Sequence, residues 1–442
     1  MTKRLTFPKD FLWGCATAAH QIEGGNKNNN WWQFEQEPGR IHEGDTSEVA
    51  CDHWHRYEED FEYLVKMNQN SYRLSMEWSR IFPEPSKKDE AAIAHYHQMI
   101  DALINRGITP FITLLHFTTP LWWEEDGGLK NQKSDHLAHF REFCQTLVRE
   151  FGSKVHFWNT INEPNVVSLV GYYLGDFPPG EQSIRSMVRA TNTLLKMHTI
   201  AYQTLKKIDP KAQVGLVKNI NIIHPWRKKS LIDRFLAKIA DSIYNASTLK
   251  ALRTGKLFWK IFGKYPGLQG SYDFLGLNFY SFALISNKLS ELMINATPTA
   301  DPEKLCAGLG WEPYPEGLLL SLRRLQKEFP SVPIYITENG IGTDDDSWRK
   351  KVLVDHLQIV HQAIQEGVNV RGYFHWTLMD NFEWAEGYSS RFGLVHVDFE
   401  TQKRTVKASG KMYGSIAKNN ALSEELLEKY PTIYRPNLNT DK

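Results

Sequence analysis

The segment Thr160-Ile161-Asn162-Glu163-Pro164 closes an apolar, β-branched run with an asparagine, a glutamate and a turn-forming proline. The segment Ile336-Thr337-Glu338-Asn339-Gly340 repeats the arrangement, with a glycine at the turn. Such runs, bounded by turn residues, are typical of short β-strands. One such segment is a weak signal, but two indicate strands that each carry a carboxylate at their end.

Similar runs recur along the whole chain and alternate with longer segments of helical periodicity, such as His136–Phe151 and Val352–Glu366. This alternation is the pattern of βα units around a parallel sheet. Eight strands are predicted: Leu12–Ala18, Gln69–Ser75, Thr109–His116, His156–Asn162, Gln213–Val217, Phe274–Tyr280, Ile334–Glu338 and Val370–Trp376. Eight βα units favour closure into a barrel over an open sheet.

Polar residues at the ends of the predicted strands support closure. His116, Asn162 with Glu163, Asn278 with Tyr280, Glu338 and Trp376 follow strands three, four, six, seven and eight. Active sites of (β/α)8 barrels are built at this carboxyl-terminal face. An open doubly wound sheet would show a glycine-rich phosphate loop after strand one. The segment His20-Gln21-Ile22-Glu23-Gly24-Gly25 lacks that spacing.

Length and composition fit one large fold. The chain has 442 residues, and no Ser/Gly/Pro-rich linker divides it, so we expect residues 1–442 to form a single (β/α)8 TIM-barrel domain. Two long connections, 218–270 and 281–315, are expected to be βα loops that shape the pocket. The first is rich in Lys and Arg, and we interpret these bases as a solvated helical face rather than a polyanion site.

Charge and cysteine content exclude several classes of protein. The formal net charge is +1, which gives no indication of nucleic-acid or membrane binding. The four cysteines are widely scattered and form no CxxC pair, so free thiols are expected. The N-terminus has no apolar signal core, and a cytoplasmic location is expected. The pair His53 and His55 has no matching ligand cluster, so we expect neither a metal nor another cofactor.

Two glutamates at one barrel face are what glycoside hydrolysis requires, since one protonates the leaving oxygen and the other attacks or activates water. Glu338 would stay ionised as the nucleophile if Arg73, at the end of strand two, points towards it. Glu163, near a second carboxylate in a partly dehydrated pocket, would keep its proton to higher pH. The sequence therefore predicts Glu163 as acid/base and Glu338 as nucleophile.

Beyond these glutamates, the chain resembles glycoside hydrolase family 1, of the β-glucosidase type, over nearly its whole length. The resemblance rests on several ordered motifs. They are Phe7-Pro8-Lys9-Asp10-Phe11-Leu12-Trp13-Gly14, Ala16-Thr17-Ala18-Ala19, Tyr72-Arg73-Leu74-Ser75-Met76-Glu77-Trp78-Ser79-Arg80, the two glutamate segments, Trp376-Thr377-Leu378-Met379-Asp380-Asn381-Phe382-Glu383-Trp384 and Arg391-Phe392-Gly393-Leu394. Membership would imply a retaining double displacement, which needs the carboxyl groups roughly 5–5.5 Å apart.

The resemblance also implies roles for further residues. Asn278 and Tyr280 resemble, together with Arg73, the residues that orient the nucleophile. Asn162 resembles the group that hydrogen-bonds the sugar 2-hydroxyl. The other implied contacts to the glycone are Gln21, His116, Glu383 and Trp384 for its hydroxyls and Trp376 for its apolar face. These residue types supply the donors, acceptors and flat apolar surface that a hydroxylated ring needs.

The substrate class follows from the same resemblance. It implies a β-glucosidase acting on small β-glycosides or short oligosaccharides such as cellobiose, with β-D-fucosyl and β-D-galactosyl residues also accepted. Glu383 would repel a phosphate, so 6-phospho-glycosides are not expected. A transglycosylase, a β-galactosidase or β-fucosidase of the same family, and a sugar-binding relative without catalysis stay open as alternatives. The sequence leaves the oligomeric state open.

Overall fold

The computed structural model describes residues 4–258, 263–287 and 293–438. Eight parallel strands form a closed barrel. In chain order they are β1 (Leu12–Ala16), β2 (Ser71–Ser75), β3 (Thr109–Leu115), β4 (Phe157–Asn162), β5 (Gln213–Asn219), β6 (Phe274–Asn278), β7 (Ile334–Asn339) and β8 (Val370–Trp376). Each strand pairs with the next, and β8 closes on β1, where His375 lies opposite Cys15. The predicted (β/α)8 barrel is confirmed, with strand ends that differ by up to two residues.

Helices surround the barrel, and those that pack on the strands present an apolar stripe to them. The helix predicted over His136–Phe151 begins at Ser134, and the one predicted over Val352–Glu366 spans Asp346–Gln365. The longer helices are His53–Lys66, Glu90–Asn105, Ser134–Phe151, Ile184–Ile208, Leu231–Asp241, Ser247–Thr254, Pro315–Glu328, Asp346–Gln365 and Ala408–Asn419, and the short helix Glu424–Lys429 follows the last of them.

Shorter elements decorate the loops between strands and helices. The short α-helices are Ala19–Ile22, Asn30–Glu35, Trp78–Ile81, Leu121–Glu125 and Pro164–Leu169. Single π or 3₁₀ turns lie at His42–Gly44, Gly128–Lys130, Val170–Leu174, Ser242–Ala246, Pro302–Lys304 and Trp384–Glu386. Small additional sheets pair Leu5–Thr6 with Ala421–Leu422, Val395–Val397 with Arg404–Val406, and Phe282–Ile285 with both Ile222–Pro225 and Met293–Ile294.

An aromatic cluster fills one end of the barrel interior. The ring of Phe111 on β3 lies 5.1 Å from that of Phe374 on β8, and 4.8 Å from that of Phe157 on β4. Since β3 and β8 are not neighbours, the first contact crosses the barrel. Phe274 and Tyr335 complete the cluster. This packed layer leaves the carboxyl ends of the strands as the place where polar groups converge.

The two long connections contain ordered elements that the sequence pattern did not reveal. Residues 218–270 hold the end of β5, the strand Ile222–Pro225 and the helices Leu231–Asp241 and Ser247–Thr254. Part of each predicted loop, 259–262 and 288–292, lies outside the described residues. Within the described ranges, no helix has the length and apolar character needed to cross a membrane.

Candidate active site

Glu163 and Glu338 lie at the carboxyl ends of β4 and β7, and both are almost fully buried, at 6% and 4% exposure. Glu163 directly follows β4 and has a left-handed backbone conformation, with φ of 45°. The same residue precedes Pro164 at the start of the helix Pro164–Leu169. Non-glycine residues in this region are uncommon and cluster at functional sites, which makes Glu163 conspicuous in the backbone itself.

Arg73 and Tyr280 hold the carboxylate of Glu338. The Arg73 guanidinium, buried in the middle of β2, donates to Glu338 Oε1 and forms an ion pair with it. The Tyr280 hydroxyl donates to Glu338 Oε2 at 2.7 Å. One partner on each oxygen fixes the plane of this carboxylate. Arg73 therefore points towards Glu338, which is the condition that the sequence analysis attached to an ionised nucleophile.

Glu163 has different neighbours. The side-chain amides of Asn278 and Asn219 donate to its Oε1 at 2.8 and 2.9 Å. Burial, and next the nearby carboxylate of Glu338, raise the pKa of Glu163 to about 7, although the two amides oppose the rise. At neutral pH much of Glu163 therefore carries a proton that it can donate.

Asn278 lies differently from the expectation that it orients the nucleophile. Its amide donates to Glu163 Oε1 and, at 3.2 Å, to Asn162 Oδ1. The cause is the hydroxyl of Thr337 on β7, which donates to Asn278 Oδ1 at 2.7 Å and so leaves Nδ2 facing β4. Asn278 thus contacts the residue predicted as acid/base.

Asn162 links the two carboxyl groups through shared partners. Its Oδ1 accepts from Arg73 at 2.7 Å as well as from Asn278, and its Nδ2 donates to His116 Nε2 at 3.0 Å. Burial, helped by the Arg73 charge, lowers the pKa of His116 well below its usual value, so the imidazole is neutral. With Nε2 accepting, the proton lies on Nδ1, for which the described residues offer no partner.

Glu383, which is half-buried, lies in the loop that follows β8. Gln21 Nε2 and Trp376 Nε1 both donate to its Oε2 at 3.3 Å. Burial is the main cause that raises the pKa of Glu383 to about 8, the carboxylates of Glu338 and Glu163 add to it, and the two donors oppose it. Gln21 also donates to the carbonyl oxygen of Phe382 at 2.8 Å, which fixes the amide and leaves its Oε1 without a partner among the described residues.

Aromatic rings line the same mouth. The ring centre of His116 lies 5.8 Å from that of Trp376 and 6.1 Å from that of Trp384, with nearly parallel planes. Phe117 packs on Trp384 at 4.9 Å. The structure thus brings the eleven predicted residues to one place: Gln21, Arg73, His116, Asn162, Glu163, Asn278, Tyr280, Glu338, Trp376, Glu383 and Trp384.

Asn219 is a site residue that the sequence pattern does not predict. The predicted strand five ends at Val217, whereas β5 continues to Asn219. The Tyr244 hydroxyl donates to Asn219 Oδ1 at 2.7 Å, which sets the amide so that Nδ2 faces Glu163. The signal was present, since β5 also ends in an asparagine, as β4 and β6 do.

The described residues contain no group of three His, Cys, Asp or Glu side chains placed to hold a metal ion. His53 pairs with buried Asp60 at 2.8 Å, and exposed His55 pairs with Asp52 at 2.6 Å. Each histidine is therefore paired with a carboxylate, His53 with one inside the helix His53–Lys66 and His55 with the residue that precedes this helix.

Comparisons with known proteins identify the family of this chain. Residues 3–422 match the model of glycosyl hydrolase family 1. The chain is 36% identical to β-glucosidase A of Thermotoga maritima, covering 95% of this chain and 99% of that protein. It superposes on a solved β-glycosidase of Pyrococcus horikoshii with a TM-score of 0.88 and 39% identity, covering 99% and 100% of the two chains. A Thermotoga maritima β-glucosidase solved with glucoimidazole gives 0.87 and 35%, covering 94% and 100%. The chain therefore belongs to glycosyl hydrolase family 1 and is a glycoside hydrolase.

Proposed function

We propose that this protein is a retaining β-glucosidase in which Glu338 is the nucleophile and Glu163 the acid/base. The observation that carries the proposal is that two buried carboxyl groups of one hydrogen-bonded network, Glu338 and Glu163, have different neighbours. Glu338 is ion-paired with Arg73, while Glu163 receives only neutral amides and has a pKa raised to about 7. Double displacement uses such a pair, in which a carboxylate fixed by an arginine lies near a protonated carboxylic acid.

In the first step a Glu338 oxygen attacks the anomeric carbon, and the bond from that carbon to the leaving oxygen breaks. The proton of Glu163 moves to the leaving oxygen, so no free alkoxide forms. The products are the aglycone alcohol and an ester between the sugar and Glu338. Asn162, which is fixed by Arg73 and Asn278, is the residue proposed to bind the sugar 2-hydroxyl, where hydrogen bonds strengthen in the transition state.

In the second step Glu163 acts as a base instead of an acid. Once Glu338 is an ester, its negative charge no longer raises the pKa of Glu163, and the amides of Asn278 and Asn219 remain to favour the carboxylate. Glu163 then accepts a proton from water as the water oxygen attacks the anomeric carbon. The ester bond breaks, Glu338 returns to its ion pair with Arg73, and the configuration is retained after two inversions.

Terminal β-D-glucosyl residues are the proposed substrates, with cellobiose and β-D-fucosyl or β-D-galactosyl compounds as further candidates. Gln21 Oε1 and His116 Nδ1–H supply one acceptor and one donor that the described protein leaves unpaired. A buried polar atom without a partner is costly, so a hydroxylated ring would satisfy both. The relatives named β-glucosidase, one solved with glucoimidazole, support the assignment.

A phosphate on the sugar 6-position is disfavoured by charge. Glu383 lies on the glycone side of the site, and Glu163 and Glu338 already raise its pKa through their negative charge. A phosphate dianion beside Glu383 would be repelled chiefly by the carboxylate of Glu338, and Glu383, whose pKa is raised to about 8, would add its own charge at alkaline pH. We therefore propose neutral glycosides as substrates.

The test compares kcat/KM for 4-nitrophenyl β-D-glucoside with that for its 6-phosphate, and for cellobiose, in the wild type and in isosteric variants. Glu338→Gln should abolish turnover of every substrate. Glu163→Gln should lower cellobiose hydrolysis by about 10²–10⁴-fold. It should affect the 4-nitrophenyl glucoside less, because this leaving group needs little protonation.

The matched control is Glu386→Gln, a glutamate three residues after Glu383 on the turn Trp384–Glu386. This variant should retain activity. Preference for the 6-phosphate would contradict the role of Glu383. Equal losses in both leaving-group classes for Glu163→Gln would contradict the acid/base role.

A further inference from the structure

The helix Leu231–Asp241, here called the surface helix, presents its large apolar side chains to solvent. Leu231, Phe235, Ile232 and Ile239 are 76%, 64%, 57% and 41% exposed, and Ile243 in the next turn is 36% exposed. The other four follow Leu231 by one, four, eight and twelve residues, and this spacing places all five side chains in one stripe along the helix. The buried positions of the helix are Asp233 and Ala237. The surface helix is therefore reversed, with a small and polar face inward and an apolar face outward.

Positive charge accompanies the stripe. Lys228 and Lys229 just before the helix, and Arg234 and Lys238 within it, are exposed. The acidic residues of the helix are engaged elsewhere. Asp233 is buried and accepts from Arg227 at 2.8 Å, and Asp241 accepts from Arg324 at 2.7 Å. The outward surface thus combines apolar and cationic side chains, although the net charge of the whole chain is only +1.

The surface helix is well anchored to the protein, although its apolar side chains stay exposed to solvent beside the described residues. Ser230 caps its first turn by accepting from the backbone N–H of Asp233 at 3.2 Å, and the pairs of Asp233 and Asp241 hold its two ends. The helix continues into the turn Ser242–Ala246, where Tyr244 donates to Asn219. It therefore lies on the active-site side of the barrel, two hydrogen bonds from Glu163.

We propose that the surface helix docks this enzyme on an anionic lipid surface. An amphipathic helix that carries Leu, Ile and Phe on one face, with Lys and Arg beside them, lies in a membrane interface with its apolar face inserted and its bases at the headgroups. A second copy of the chain fits this surface less well. Facing copies would bury the apolar stripes but would bring the same bases into opposition. The docking is independent of the glycosidase assignment.

The test is co-sedimentation of the full chain with vesicles of phosphatidylcholine, with and without phosphatidylglycerol. Wild type should bind the vesicles that contain phosphatidylglycerol and leave the neutral ones. Ile232→Ser with Phe235→Ser should weaken that binding by at least about tenfold. Arg234→Gln with Lys238→Gln should weaken it by about tenfold and reduce its dependence on salt.

Val65→Ser with Ile184→Ser is the matched control, since these apolar residues are 42% and 50% exposed but stand singly on other helices. This variant should bind like the wild type. Thermal unfolding midpoints and kcat/KM on 4-nitrophenyl β-D-glucoside, expected to be unchanged in all three variants, separate docking from folding and catalysis.

Two results would overturn the proposal. The first is wild-type protein that stays in the supernatant with both vesicle types, or that binds equally well after the Ile232 and Phe235 substitutions. The second is a dimer in vesicle-free solution, measured by light scattering, that the same substitutions convert to monomer while vesicle binding is absent. That result would assign the apolar stripe to a second copy.

Discussion

At the scale of single residues, Glu163 and Glu338 bear the same functional group but differ in their neighbours. A guanidinium and a phenol hydroxyl hold Glu338, whereas two amides and the Glu338 charge itself act on Glu163. Two like groups with unlike surroundings are the usual means of dividing acid and nucleophile roles. The division depends on residues outside both glutamate segments.

Asn219→Ala tests this dependence. The amide of Asn219 favours the charged form of Glu163, so its removal should raise the pKa of Glu163 above about 7. Because the first step needs protonated Glu163, the alkaline limb of the kcat/KM profile should move to higher pH in the variant. The measurement is kcat/KM against pH with a cellobiose-type substrate. Tyr244→Phe, which removes the donor to Asn219, should give a smaller shift in the same direction. An unmoved or lowered limb would contradict this account.

At the scale of elements, the site depends on how closely the ends of β7 and β8 approach. A Cβ atom added to Gly340, just after β7, would lie 1.9 Å from the backbone oxygen of Trp376 at the end of β8. Only glycine allows this approach, because a backbone atom cannot move aside as a side chain can. The glycine that marks a turn in the sequence therefore also allows the end of β7, with Glu338, to lie close to Trp376 at the end of β8.

Gly340→Ala should cost about 1–3 kcal/mol in the free energy of unfolding, as overpacking does. It should also lower kcat by about 10²-fold if the strand ends move by 1 Å. Gly342→Ala is the control, since its nearest contacts are the side chains of Cys306 and Phe392 at 3.1 Å, which can adjust. Denaturant unfolding and kcat together check the prediction, and equal stability of the two variants would contradict it.

The elements also show what the sequence could predict. All eight strands and both named helices were predictable, because their periodicity is local. Asn219 was missed because the ladder to β6 extends β5 beyond its apolar run, with Asn219 opposite Asn278. The sequence could not show that the Asn278 amide faces Glu163, because Thr337 on the neighbouring strand orients that amide. Periodicity marks the apolar face of the surface helix, but only the tertiary structure shows that this face points outward.

At the scale of the whole molecule, burying several carboxyl groups at the barrel mouth couples stability to pH. Glu163 and Glu383 have pKa values raised to about 7 and about 8, against about 4.3 for an unfolded glutamate. Between these values the folded state binds more protons than the unfolded state. The stabilising contribution of the two protonated groups is therefore complete below about pH 4.3 and is lost as the pH rises through 7 and 8.

Glu383→Gln should reduce this loss. The amide keeps the size of the side chain but cannot ionise, so the variant should gain stability relative to wild type at pH 8.5 more than at pH 5. Thermal unfolding midpoints of both proteins across that range provide the measurement. Glu386→Gln serves as the comparison, since the pKa of Glu386 is raised mainly by partial burial outside the catalytic network. A difference between wild type and Glu383→Gln that stays constant with pH would contradict the coupling.

The covalent ester on Glu338 is the central claim, and trapping it is the most direct test. With 2-deoxy-2-fluoro-β-D-glucosyl fluoride, the ring fluorine slows both steps while the good leaving group restores the first, so the ester should accumulate. Peptide mass spectrometry of the inactivated enzyme should find the fluoroglucosyl label on Glu338 alone. A label on Glu163 or on another residue would contradict the assignment. Unlabelled enzyme whose first released product is the α-anomer of the sugar would contradict it as well.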